Sequence, residues 1–142
     1  MAASAITELS DGDFLPVIGD REVDASKVRR VVLCTGKVYH DLAQARALHK
    51  IADVALLRVE LLYPWPQAAI AAALASFRRD VELVFCQEEP MNMGAYAHAR
   101  MAMPAITAYA GRRAAASPAT GSLQAHKREQ GELVARALGQ SA

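Results

Sequence analysis

Three polar strings follow apolar runs in this sequence, and each could do chemistry. Thr35-Gly36-Lys37 lies between an apolar run and a helical pattern. Free backbone N–H groups at such a helix start favour an anion, and Lys37 would add a positive charge. The string has one glycine, not a G-x-G-x-x-G fingerprint or a Walker loop, so an ordinary tight turn is the competing reading. Glu88-Glu89 offers two carboxylates beside Pro90. Neighbours on an extended segment point to opposite sides, which makes them a poor acid/base pair for one substrate. An inward-facing member would bind backbone N–H groups or an arginine, so structural or interface use is favoured over catalysis. Arg112-Arg113, with Ser117-Pro118 soon after, could hold a phosphate or a carboxylate. The same arginines could pair with Glu88 or with a neighbouring domain, and pairing is the favoured reading.

The histidines and cysteines add little. His40, His49, His98 and His126 are scattered, and none has an i,i+4 partner of ligand type, so no zinc site is expected. His126 reads as a polar surface or interface residue on the last helix. Cys34 and Cys86 end apolar runs and read as small core hydrophobes. Neither shows the adjacent base that a nucleophilic cysteine needs.

The elements that must carry these residues follow from the hydrophobic rhythm. Val31 to Cys34, Val54 to Val59 and Val81 to Cys86 are compact apolar runs suited to buried parallel strands. Val38, Leu42, Ala45 and Leu48 mark one face of a helix between the first two. Tyr63-Pro64-Trp65-Pro66 stops the second strand, and Pro66 suits the first turn of a helix whose apolar face is Ile70, Ala71, Leu74 and Phe77. A third helix is expected from Gly94 to Met103, a fourth strand from Ile106 to Ala110, and a last helix from Gly121 or Ser122 to Leu138. This alternation is an α/β order, with helices on both faces of a mostly parallel sheet. Ligands in such sheets collect beyond the carboxyl ends of the strands, where the polar strings above fall.

Residues 1–27 lack strong periodicity and read as a lead-in segment. Within them Phe14 to Ile18, which contains Pro16, could form an edge strand or an extended arm. Residues 28–142 read as the α/β domain proper.

Composition narrows the classes. The chain has 142 residues, 53% hydrophobic and 22% charged, enough to bury a core in one domain. Sixteen basic against fifteen acidic residues leave a net charge of +1, which argues against nucleic acid as a partner. Two cysteines make no disulfide framework. The longest apolar run, Ile70 to Phe77, is far too short for a bilayer, so no membrane partner is expected. Met1 to Ser10 does not read as a secretory signal.

Specific strings carry a resemblance. VVLCTGKVYHDL, VALLRVELLYPWP, VFCQEEPMNMGAY and YAGRRAAASPATGSLQAHKREQGELV, in that order and spacing, resemble the carboxy-terminal domain of 2-oxoglutarate dehydrogenase, the thiamine-dependent first component of that multienzyme complex. FLPVIGD matches the segment leading into that domain. The QEEP–N–G and YAGR–ASPATG pieces point to the oxoglutarate branch of the transketolase-like group. The resemblance implies a three-layer sandwich like the transketolase carboxy-terminal domain, with a mostly parallel five-strand sheet and one antiparallel strand.

The resemblance also implies a setting. The complete enzyme uses thiamine diphosphate and magnesium to decarboxylate 2-oxoglutarate oxidatively and passes the succinyl group to a lipoyl arm in the tricarboxylic acid cycle. Its cofactor-binding and activating residues lie in two upstream domains, so no catalytic or metal residue has a position here and the chain alone is expected to be inactive. Expected partners are those upstream domains, a homodimeric mate and the dihydrolipoyl succinyltransferase complex. The carboxy-terminal region of some relatives borders a regulatory site for a nucleotide or acetyl-CoA. Lys37, Arg112, Arg113, Glu88, Glu89 and Asn92 are therefore candidate effector or interface residues. Phosphate-bearing effectors are expected to bind weakly, or not at all, without the upstream domains.

Met1 precedes AASAITELSDGDF, which resembles the interior of the longer family sequence. A truncated reading frame, a gene fragment, a cloned domain and a split enzyme are all compatible with it. The expected compartment is the bacterial cytoplasm, or the mitochondrial matrix in a eukaryote. Two other readings stand beside this one: a free-standing module sensing an acyl-CoA or nucleotide, and a small independent enzyme using a cysteine or glutamate.

Overall fold

A computed structural model describes residues 6–140. The readings of the amino-terminal stretch and of the far end of the domain bear in part on residues 1–5 and 141–142, which lie outside the described residues. The element order is α1 (Ile6–Ser10), β1 (Val17–Ile18), a single 3-10 turn (Ala25–Lys27), β2 (Arg30–Cys34), α2 (Val38–Leu48), β3 (Val54–Val59), α3 (Gln67–Leu74), β4 (Glu82–Pro90), α4 (Tyr96–Ala102), β5 (Ala108–Arg112) and α5 (Leu123–Ala137).

The five strands form one sheet in the order β1-β3-β2-β4-β5. β2 pairs in parallel with both β3 and β4, β4 pairs in parallel with β5, and β1 runs antiparallel along β3. The expected sheet of five strands with one antiparallel member is therefore present, and the antiparallel one comes from the Phe14–Ile18 run. Only Val17 and Ile18 of that run pair, opposite Val59 and Arg58. Pro16 has no N–H to give, and its carbonyl instead accepts from the N–H groups of Glu60 and Leu61 at 2.9 and 3.1 Å.

The strands are apolar on both sides because helices cover both faces. Val31, Leu33, Leu57 and Phe85 pack toward Ile70 of α3 and Ala99 of α4. Val32, Cys34, Leu56, Val84 and Cys86 pack toward Leu42 of α2 and Leu133 of α5. At roughly 1.5–3 kcal/mol for each large apolar side chain fully removed from water, these two clusters supply the main driving force for folding.

Three boundaries differ from the sequence expectation. α3 ends at Leu74, and Phe77 packs against the core from the turn that follows. The fourth parallel-type run lies at Ala108–Arg112 rather than Ile106–Ala110, with Ile106 fully buried just before it. β4 continues past Cys86 to Pro90. Cys86 pairs with Ala110 but Pro90 pairs with Arg112, so β4 carries two extra residues there in a bulge. Sequence periodicity cannot display such a bulge, because it interrupts the alternation. No helix among the described residues is long and apolar enough to cross a membrane.

Candidate functional site

α2 leaves β2 on one face of the sheet, and α4 leaves β4 on the other. The loops after β2 and β4 therefore diverge, and the crevice between these adjacent strands is the place where an open α/β sheet usually takes a ligand. Thr35-Gly36-Lys37 and Glu88 border it. Gly36 turns the chain with φ +73°, a conformation that costs a glycine little.

The crevice is closed by the chain's own side chains. Lys37 Nζ donates to Glu88 Oε1 at 2.6 Å. Gln130, from α5, donates through Nε2 to Glu88 Oε1 at 2.9 Å and to Asp41 Oδ2 at 2.7 Å. The hydrogen bond to Glu88 raises the Lys37 pKa above its ordinary value, against a smaller opposing effect of burial. Lys37 thus keeps its charge, but Glu88 already occupies it. Alternation along the extended segment holds: Glu88 turns inward to this network while Glu89 is exposed.

The arginines on the next loop divide. Arg112 Nε lies 3.2 Å from Glu129, and its guanidinium also reaches His126 Nδ1 at 2.8 Å. Its carboxylate partner is thus Glu129 on α5 rather than Glu88. Arg113 is exposed. Asn92 makes a two-way bond with one backbone position, donating to the Ala115 carbonyl and accepting from the Ala115 N–H, both at 3.0 Å. It pins the loop after β5 to the loop after β4. Lys37 with Glu88, Arg112 with Glu129, and Asn92 with Ala115 are therefore three separate contacts along one edge.

The residue that organises this edge was not among the sequence candidates. Gln87 is fully buried. Its Nε2 reaches the carbonyls of Glu89, Pro90 and Met93 at 3.3, 3.1 and 2.7 Å. Its Oε1 accepts from the N–H groups of Ala95 and Tyr96 at 3.0 and 2.9 Å. One side chain thereby satisfies the backbone of the bulge and the start of α4. Gly94, at φ +66°, passes so close that an added Cβ would lie 2.9 Å from Gln87 Oε1. Tyr109 Oη fastens the same turn by donating toward the carbonyls of Glu89 and Arg112, at 3.0 and 3.1 Å. A buried glutamine beside two glutamates gives no local signal of this role.

Cys34 and Cys86 sit opposite each other on β2 and β4, both fully buried. Burial pushes the Cys34 thiol up to about 12; the Arg58 charge lowers it by less, and the Glu60 charge raises it further. Burial also raises Cys86, well above the ordinary range. Both remain protonated thiols at neutral pH, which agrees with the core reading and not with a nucleophile.

The fold and its edge define a three-layer α/β domain of the transketolase carboxy-terminal type, one that ends a sheet in packed loops. The chain belongs to the family described as 2-oxoglutarate dehydrogenase C-terminal, whose match covers residues 3–138. It is 42% identical to the 2-oxoglutarate dehydrogenase E1 component of Haemophilus influenzae over 97% of this chain and 16% of that protein. The E1 component of Cupriavidus necator is also 42% identical, over 96% of this chain and 15% of the relative. That of Brucella anthropi is 47% identical over 80% of this chain and 12% of the relative. The chain thus spans about one-sixth of the length of the curated relatives it matches. Among solved structures, a 2-oxoglutarate:ferredoxin oxidoreductase from Magnetococcus marinus shares the fold, with TM-score 0.50 and 16% identity over 90% of this chain and 21% of that one.

Proposed function

We propose that this chain is the carboxy-terminal packing and assembly module of a 2-oxoglutarate dehydrogenase first component, and that it performs no bond-breaking chemistry by itself. The observation that carries this reading is the filled crevice: Lys37, Glu88, Gln130 and Asp41 are bonded to one another where a substrate would otherwise sit. The short share of each relative that the chain matches supports it further.

In this reading the complete enzyme uses thiamine diphosphate and magnesium for oxidative decarboxylation of 2-oxoglutarate and succinylates a lipoyl group. The residues of this chain do not fit that group. Magnesium with a diphosphate needs oxygen ligands left free to face it. Asp41 and Glu88, the carboxylates at the crevice, are already turned to Gln130 and Lys37. No cluster of three potential metal-ligating side chains occurs among the described residues. The partners are accordingly the upstream domains, a second subunit and the succinyltransferase of the complex, in a bacterial cytoplasm or, in a eukaryote, the mitochondrial matrix.

Deleting the matching last sixth of the Haemophilus influenzae relative tests this reading. The expected result is loss of both subunit assembly, read by light scattering, and 2-oxoglutarate turnover. A deleted enzyme that assembles and turns over normally would overturn it.

A further inference from the structure

The two helix layers differ in charge. On one face of the sheet α2 carries Asp41 and Arg46, and α5 mixes basic and acidic residues from Lys127 to Arg136. On the other face, Arg100 is the one charged side chain that α3 and α4 hold between them. The stretch from Leu61 to Phe77, which leads into α3 and past its end, has no charged residue at all. Alanine is frequent in all four helices, so the contrast lies in the charge and not in the alanine.

This uncharged face is open. Ala68, Ala71 and Ala72 of α3 and Ala97 of α4 are exposed. Tyr63 and Met101 are each 82% exposed. The Tyr63 and Trp65 rings lie 6.1 and 5.8 Å from the His98 ring, which joins the loop after β3 to α4 in one surface. A helix that faces water ordinarily shows charged and polar residues on its outer side. A surface depleted of charge and rich in aromatic and methionine side chains has the composition of an interface core.

The occupant is indicated by where the chain enters. The Pro16 carbonyl of the lead-in segment accepts the N–H groups of Glu60 and Leu61, directly before Leu62 and Tyr63. Val17 packs into the same apolar cluster as Ile70 of α3 and Ala99 of α4. Phe14 and Leu15, just before, are exposed. The family is a carboxy-terminal one, and this chain spans 16% of the Haemophilus influenzae relative. The polypeptide that precedes the domain in such a relative therefore arrives beside the uncharged face.

We propose that the α3/α4 face docks against the polypeptide preceding this domain in the full-length enzyme, while the α2/α5 face stays in water. The inference rests on the assembly role proposed above and says which side of the module performs it. The matching surface must be apolar where it meets Ala71 and Ala72, because these residues offer a buried charge no counter-ion.

The test joins this chain to the Haemophilus influenzae relative in place of its last sixth. Hydroxyl-radical footprints are then compared for the chain alone and within the full-length protein. Side-chain oxidation follows exposure, so Tyr63 and Met101 should react about tenfold more slowly in the full-length protein. Leu48 and Leu123, exposed at α2 and α5, should react equally in both. Ala71→Glu should return Met101 toward its rate in the isolated chain. It should leave the melting temperature of the isolated chain little changed, because Ala71 is exposed there. Mixing the chain with the relative shortened by its last sixth gives a second route to the same footprint. Unprotected Tyr63 and Met101 by both routes, or equal protection of Leu48 and Leu123, would overturn the proposal. Protection that grows with the concentration of the isolated chain would assign the face to a second copy and overturn it too. A full-length protein that assembles without this protection would remove the choice of face and leave the assembly role standing.

Discussion

Arg46 and Asp20 together take the place of a strand along the outer edge of β3. β1 pairs only with Arg58 and Val59, which leaves the rest of that edge open. Asp20 accepts the Leu56 N–H at 2.8 Å, Arg46 donates to the Val54 carbonyl at 3.2 Å, and the two side chains pair with each other. Glu22 adds a second carboxylate to Arg46 at 2.7 Å. An exposed sheet edge is a template for unwanted pairing, and here a buried ion pair blocks it.

Removing one member of that pair should be costly. Asp20→Ala leaves the Arg46 guanidinium buried with only Glu22 for charge and strands the Leu56 N–H. The expected loss is about 3–5 kcal/mol, read as a lower urea midpoint. Glu22, largely exposed, is the contrast: Glu22→Ala should cost no more than about 1 kcal/mol.

Gln87 should behave as the keystone of the loop after β4. Gln87→Ala removes the partner of two N–H groups and three carbonyls at once. A loss of about 2–4 kcal/mol is expected, with amide exchange accelerating first at Ala95 and Tyr96. Uniform exchange across the chain would show that the loop does not depend on it.

The closed crevice predicts an unequal pair of effects. Lys37 is 71% exposed on its side chain, so Lys37→Met should change stability by less than about 1 kcal/mol. Gln130→Leu leaves Asp41 and Glu88 without the amide that bridges them and should cost more, about 1–2 kcal/mol. Thermal melts of the two variants decide the order.

The buried thiols set an alkaline limit. Cys34 is raised from its ordinary 9.0 to about 12, so between those values the unfolded chain has lost a proton that the folded chain keeps. Fewer protons on the unfolded state means that stability falls as pH rises, by up to about 1.4 kcal/mol per pH unit for such a group. The contribution is complete below pH 9 and lost as pH climbs toward 12. Cys86 acts in the same direction. Urea midpoints from pH 8 upward should show the decline in the native chain. A Cys34→Ala/Cys86→Ala variant should show a flatter curve.

How much of this the sequence displays depends on the distance over which each residue acts. The apolar runs from Val31, Val54 and Val81 display parallel strands because both faces are buried. Ser122 displays the start of α5, where its hydroxyl accepts the Ala125 N–H. The strand order is set by which crossover passes which face, and no local residue encodes it. The Asp20–Arg46 pair joins positions 26 residues apart, and Gln130 reaches Glu88 over 42. Each such partner is an ordinary polar residue until the fold brings it home. The inward turn of one glutamate follows from alternation, but its partner Lys37 lies 51 positions away and the sequence pointed to an arginine instead, while the role of Gln87 depends on a bulge that alternation hides.

The most direct measurement is 2-oxoglutarate decarboxylation by the purified chain supplied with thiamine diphosphate and magnesium. No carbon dioxide above the protein-free blank is predicted, since Lys37, Glu88, Gln130 and Asp41 at the crevice are already bonded to one another. Sustained, enzyme-dependent release of carbon dioxide would contradict the account.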